Sequence, residues 1–297
     1  MQTKISRTVL RMPVALVVGL AVGLTSCKPG GEAAPPTQSA PASTTDIQFV
    51  WKTLVPGIEL GKFPAPMGKP GEITIVRLDP RSCQLRLLAC AELGHAGLPA
   101  DQWSEKYGLS VVINAGMFDL DHSTHTGYMK NDSRVNPAAL RPDYSSIAVF
   151  SPLDPLNPPF RLLDTDGPDW GNDILSQYGV VIQNLRLIKS RGENRWKPQP
   201  KAWSEAALGE DTTGHMLLIF CPVGSTMYDF NEHLLRLPIH LIAAQHLEGG
   251  PEASLYVKCG DFEFRGVGSY ETGFNENDDN QTFWDLPNII GVRSNRR

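Results

Sequence analysis

The chain has 297 residues, with 27 Lys and Arg against 32 Asp and Glu, a formal charge of −5, and 41% hydrophobic residues. That apolar content is enough for a sizeable core and excludes a wholly disordered chain. The acidic balance argues against nucleic acid as a partner.

The first residues, MQTKISRTVLRM, carry Lys4, Arg7 and Arg11 and no acid, and they run into PVALVVGLAVGL. Such a run falls short of the ~20 apolar residues that span a bilayer as a helix, so residues 1–26 read as an export signal. LTSC, ending at Cys27, resembles a bacterial lipoprotein box. The resemblance implies cleavage before Cys27, acylation of that cysteine, and a lipid anchor in place of a spanning helix. Lys28, where an inner-membrane retention signal often has Asp, favours the outer membrane of a Gram-negative cell. Lys28 to Thr45 is nearly all Pro, Ala, Gly, Ser and Thr and reads as a tether, which leaves Asp46 to Arg297 as the folded domain. Losing the leader removes three of the 27 bases, leaving 24 against 32 acids. Cys83, Cys90, Cys221 and Cys259 form an even set in an exported chain, open to two, one or no disulfides. Their spacing is too wide for a cysteine metal site.

Trp51 to Leu60 reads as an opening strand, Glu72 to Pro80 as a second that stops at Asp-Pro, and QLRLLACAE as its neighbour. Pro99 before ADQWSEKYG supplies a helix start and a glycine stop. SVVINAGMF reads as a buried strand ending in Asn114, Ala115 and Gly116, where small side chains let a ligand approach the main chain. Asp119 to Pro142 is polar and long for a structureless connection, as functional loops often are. It holds Asp119, Asp121, His122 and His125, which raises a metal reading, although the glycine and distal glutamate of a calcium loop are missing. Lys130 and Arg134 in the same stretch could meet a phosphate.

YSSIAVF reads as a strand, the proline-punctuated Ser151 to Phe160 as extended, and Val180 to Leu187 as a further strand. Ser204 and Glu205 stand at a strand entry, followed by a turn at Thr212 to Gly214 and a buried strand from Met216 to Cys221. After Ser225, Phe230, Leu234, Leu235 and Leu237 recur at helical spacing. HLEGGPEASLYV, His246 to Val257, then sets Glu248 and paired glycines between strand-like flanks, and WDLPNIIGVR closes with a short strand. Strands outnumber helices. The expected fold is α+β: a mixed, largely antiparallel sheet with helices packed on its outside and long site loops.

Four segments together, NAGMF from Asn114, WSEAALG from Trp203, HLEGGPEASL from His246 and LPNIIGV from Leu286, resemble the phosphodiester glycosidase family over roughly Glu72 to the C-terminus. The resemblance implies a hydrolase that cleaves the sugar–phosphate bond of a sugar 1-phosphodiester in an envelope or extracellular glycan. On that basis Glu248 is the carboxylate that stabilises the sugar ring or serves as base, Glu205 its partner, and Asn114 a group binding a sugar hydroxyl or phosphate oxygen. The amides at Gly116, Gly249 and Gly250 would cradle the anion, with His246, Ser254, Ser204 and Arg134 as further binding residues. The chain departs from the pattern at Glu248, where many members have Asp, at Pro251 and Glu252, where many have hydroxyl residues, and in lacking an arginine near SEAALG. No cofactor is assigned, and a bound Ca or Mg ion stays open. Expected partners are a sugar phosphodiester or phosphoglycan, and a membrane reached through the lipid anchor only. The rival reading is a glycan-binding envelope lipoprotein without turnover.

Overall fold

Alternating apolar residues give strands with one face for a core, and continuous apolar runs give strands buried on both faces. Both kinds occur in the computed structural model, which describes residues 51–135, 139–171 and 173–294, all within one unit spanning Ile47–Arg297. The expected export signal, Cys27 and the expected tether lie outside the described residues.

Among the described residues three sheets form, and all their strand pairings are antiparallel. The largest contains β1 (Lys52–Val55), β2 (Ile58–Pro64), β3 (Glu72–Leu78), β11 (Arg186–Lys189), β12 (Glu193–Asn194), β13 (Trp203–Asp211), β14 (Met216–Ser225) and β15 (Leu241–Gly249). Its order is β1-β2-β3-β14-β13-β15-β11-β12. A second sheet, built from β6 (Met129–Asn131), β7 (Arg134–Val135), β8 (Ser146–Pro152), β9 (Phe160–Asp164) and β10 (Tyr178–Asn184), runs β7-β6-β10-β8-β9. The third, from β4 (Cys83–Ala89), β5 (Val111–Asn114), β16 (Ser254–Cys259), β17 (Phe262–Val267) and β18 (Asn288–Ser294), runs β17-β16-β5-β18-β4.

The sheets share one core. Leu218 and Leu208 from the first, Phe150 and Ile182 from the second, and Ile113, Leu255 and Ile290 from the third belong to a single buried cluster. Strand β13 has apolar residues on both faces: Ala206 and Leu208 enter this core, while Ala207 packs with Phe230 and Leu234 of α4 (Met227–Leu234). Helix α4 starts where Thr226 Oγ1 accepts the Asp229 N–H at 3.1 Å, an N-cap. On the third sheet, α2 (Ala100–Tyr107) buries Trp103 against Val112 and Ile289, and the indole N–H donates to Leu286 O at 2.9 Å. Among the described residues the other α-helices, α1 (Cys90–Leu93) and α3 (Ile174–Gln177), are single turns.

The protein is therefore a sheet-rich antiparallel fold with few, short helices, divided into three sheets where one large mixed sheet was expected. The opening strand expected over Trp51–Leu60 is a hairpin, because Gly57 at φ 79° turns the chain between β1 and β2. The long loop from Asp119 contains the hairpin β6–β7, turning at Asp132 with φ 54°. The four described cysteines are buried thiols, none in a disulfide. Among the described residues no helix is long and apolar enough to cross a membrane.

Most consequential is His246–Val257. Its strands β15 and β16 belong to different sheets, so the acidic glycine turn between them is a crossover and not a hairpin.

Candidate active site

In a regular antiparallel pair Glu248 would face Glu205 directly. An irregularity between Ala206 and Ala207 admits one extra residue of β15, so Gly249 stands opposite Glu205 and Glu248 opposite Ala206. Such bulges re-aim side chains. Glu205, 2% exposed, meets His246 Nδ1 through Oε1 at 2.6 Å, and its Oε2 accepts the Trp203 indole N–H at 2.7 Å. The Trp203 and His246 rings lie 6.2 Å apart, edge to face. Gly249 lets Trp203 lie this close, since a Cβ there would fall 2.5 Å from the indole.

Burial opposes charge on His246, but the Glu205 carboxylate, with Glu248 and Glu271, raises its pKa above the ordinary 6.5. With Nδ1 held by Glu205, Nε2 makes no hydrogen bond among the described residues, and the ring lines a cavity. Burial also dominates Glu248 and pushes its carboxyl up to about 8, against the lowering effects of His246 and of the Gly249 N–H that Oε1 accepts at 3.1 Å. The pKa of Glu252 is raised by burial, with Glu271 adding to it.

These groups line a cavity of about 360 Å³ together with Phe118, Asp119, His122, Trp196 and Trp203, and no Lys or Arg lines it. Larger grooves exist elsewhere, of about 890 Å³ beside Lys69 and Tyr270 and about 1070 Å³ beside Lys258 and Arg293. Size does not choose among them. The smaller cavity is the one where an imidazole and raised carboxyls converge, the mark of a site able to move protons.

Of the residues expected at the site, Glu205, His246, Glu248 and Gly249 come together here. Others do not. Asn114 is 1% exposed, and its amide joins the strand end to the crossover, donating to Glu252 O at 3.0 Å and accepting the Ser254 N–H at 2.8 Å. Ser254 Oγ donates to Glu252 O, while Ser204 Oγ donates to Pro222 O and accepts the N–H groups of Ser269 and Tyr270. Gly116 has φ 148°, and a Cβ there would fall 2.3 Å from Asn184 Nδ2 and 2.5 Å from His125 Cε1, so it serves internal packing. Gly250, at φ 64°, leaves room for Glu271 Oε2, which a Cβ would meet at 2.5 Å. The Gly249 N–H is held by Glu248, so the expected anion cradle is occupied by a side chain. Arg134 is exposed on β7, where it donates to Glu92 O at 3.0 Å, outside the cavity lining.

The metal reading of the Asp119 loop divides in the same way. Asp121 accepts the N–H groups of Ser123 and Thr124 and the Thr124 hydroxyl, and His125 is buried with Nε2 on Gln183 O. Only Asp119 and His122 of that group line the cavity. No group of three or more His, Cys, Asp or Glu is arranged to hold a metal among the described residues. Trp196, Glu252 and Glu271 were not identified as site residues from sequence, since nothing in a local pattern shows that Glu271 returns beside Trp203 through an isolated bridge.

The sequence profile of the family described as phosphodiester glycosidase matches residues 107–293. Among solved structures, the chain is similar to the zebrafish N-acetylglucosamine-1-phosphodiester alpha-N-acetylglucosaminidase catalytic domain, auto-inhibited by its pro-peptide, with a TM-score of 0.57 at 14% identity. That match covers 80% of this chain and 84% of the other. A hypothetical protein from Synechocystis aligns at a TM-score of 0.48 and 15% identity, covering 80% of this chain and 62% of the other. No curated protein matches by sequence. With its profile match running from the end of α2 through β18, the chain belongs to the phosphodiester glycosidase family.

Proposed function

We propose that the chain is a hydrolase cleaving the sugar–phosphate glycosidic bond of a sugar 1-phosphodiester in an envelope or extracellular glycan. Family membership and the name of the zebrafish relative support the reaction class. The observation that carries the reading is Glu248, a carboxyl with a pKa of about 8 beside the Glu205–His246 pair in a cavity walled by Trp203 and Trp196.

Below pH 8 Glu248 is mainly neutral and has a proton to give. It is then better suited to act as acid than in the base role expected from sequence, because burial disfavours its anion. Cleavage breaks the bond between the anomeric carbon and the phosphate oxygen. The electron pair leaves with the phosphate, whose departing oxygen takes the Glu248 proton, and water adds hydroxide to the anomeric carbon while its other proton returns to Glu248. The His246 imidazolium faces the anion, while Glu252 and Glu271 are placed to stabilise positive charge on the ring. Glu205 acts through His246 as a positioning residue. Pairing Glu205 with His246 and leaving Glu248 neutral keeps an acidic cavity tolerant of a phosphodiester. The flat indoles offer apolar faces to a sugar ring.

Export, acylation at Cys27 and residence in the envelope, at the outer membrane of a Gram-negative cell, complete the proposal, supported by the leader pattern. Incorporation of labelled fatty acid, lost in Cys27→Ser, tests that part. For the chemistry, release of free sugar from sugar 1-phosphodiesters by the full chain should fall roughly a hundredfold in Glu248→Gln. No turnover, with glycan binding intact in both proteins, would establish a binding module instead.

A further inference from the structure

Past Glu252 the catalytic cavity meets a second one, of about 540 Å³. Phe118, His122 and Glu252 line both, so the two are successive compartments of one groove. The second is lined also by Phe283 and Trp284. Trp284 is 39% exposed, and its ring is met edge-on by Phe274, 63% exposed, at 6.1 Å and 79°. Such a pair presents an aromatic face to solvent that nothing in the described residues covers. The loop carrying Phe118 and His122 is held in shape by Asp121, which accepts two backbone N–H groups and the Thr124 hydroxyl, so this wall is preformed. No Lys or Arg lines the compartment, while Asp121, Asp285 and Glu252 do.

We propose that this compartment is a subsite for a second, uncharged glycosyl unit joined to the sugar in the catalytic cavity, with Trp284 as its stacking platform. The substrate is then a glycan chain whose terminal unit bears the phosphodiester, and not a lone monosaccharide. The proposal rests on the hydrolase reading for the position of the phosphate. His246 lines the first cavity alone, and a phosphate seated against its imidazolium directs the sugar towards Glu252, with the second compartment beyond. An anionic unit there would meet carboxylates without a cation. A lipid tail would cover Ser123, His95 and the acids without giving them hydrogen bonds, a costly burial. A neutral sugar satisfies both demands, offering hydroxyls to the polar groups and an apolar ring face to the indole.

The test compares a monosaccharide and a trisaccharide 1-phosphodiester carrying the same aglycone, hydrolysed by the full chain and by Trp284→Ala and Trp284→Phe. The expected result is a kcat/KM at least tenfold higher for the trisaccharide, with that advantage lost in Trp284→Ala and kept in Trp284→Phe. Monosaccharide turnover should be unchanged in both variants. Equal kcat/KM for the two lengths, or an advantage that survives Trp284→Ala, overturns the subsite. Absence of all turnover would remove the hydrolase reading and leave the subsite to be decided by calorimetric titration with the phosphate-free trisaccharide. Binding weakened at least tenfold by Trp284→Ala then supports it, and no binding, or equal binding by the variant, overturns it.

Discussion

Asn114 at the end of β5 and Glu248 near the end of β15 flank the same crossover, and both lie in family-like motifs. Their polar groups meet different conditions. The Asn114 amide bridges two main-chain partners in the crossover, so its work is to hold the Glu252–Ser254 turn. Glu248 is partly buried against the cavity with one N–H for its carboxylate, and its surroundings push its pKa up to about 8. A buried polar group with matched partners stabilises a scaffold, and one without them is poised to exchange a proton.

The sharpest way to break this contrast is Glu248→Gln. It should lower kcat by roughly a hundredfold or more while the fold persists, measured by sugar release and circular dichroism. Next comes Glu205→Gln, expected to reduce kcat about tenfold and to move the alkaline limb of the pH–rate profile to lower pH. Glu205 raises the pKa of His246, so its loss lets that imidazole deprotonate at lower pH. A limb that stays in place would separate Glu205 from the proton chemistry.

Asn114→Ala should show the opposite profile. Stability in denaturant falls by about 1–3 kcal/mol from the unpaired main-chain groups, while kcat per folded molecule stays within a fewfold. A large loss of kcat in a stably folded Asn114→Ala protein would return Asn114 to the chemistry.

The pH dependence of stability gives a finer test. The folded Glu248 pKa of about 8 lies above its ordinary 4.5. Its contribution is fully present below about pH 4.5 and is lost as pH rises through 8. The Tm of Glu248→Gln relative to wild type should therefore climb from pH 5 to pH 9. The smallest effect belongs to Arg134→Ala, which is exposed and outside the cavity: stability within about 0.5 kcal/mol and unchanged turnover.

Much of the scaffold was legible because strand periodicity is local. EITIVRL, SIAVF and NIIGV fall on β3, β8 and β18, and Pro99 with Gly108 bounds α2. The hairpin at Asp132 was hidden, since a non-glycine residue there takes φ 54° without a glycine signal. The proximity of Glu205, His246 and Glu248 could be suspected from their motifs. Their division of labour could not, because it depends on one extra residue in β15 and on the depth of burial. Glu252 and Glu271 were obscure for a related reason: a charged residue in a polar run reads as solvated until a sheet crossover places it against a cavity. Asn114 misled in the other direction, as a polar residue at a strand end fits a ligand or the chain itself, and only its bonds to Glu252 and Ser254 decide.

The most direct test of the central claim is the titration of the Glu248 carboxyl, read as the infrared difference between wild type and Glu248→Gln across pH 4 to 10. The account predicts a protonated carboxyl band that persists through neutrality and is half lost near pH 8. A carboxylate band already complete by pH 6 would contradict it and remove Glu248 as the acid.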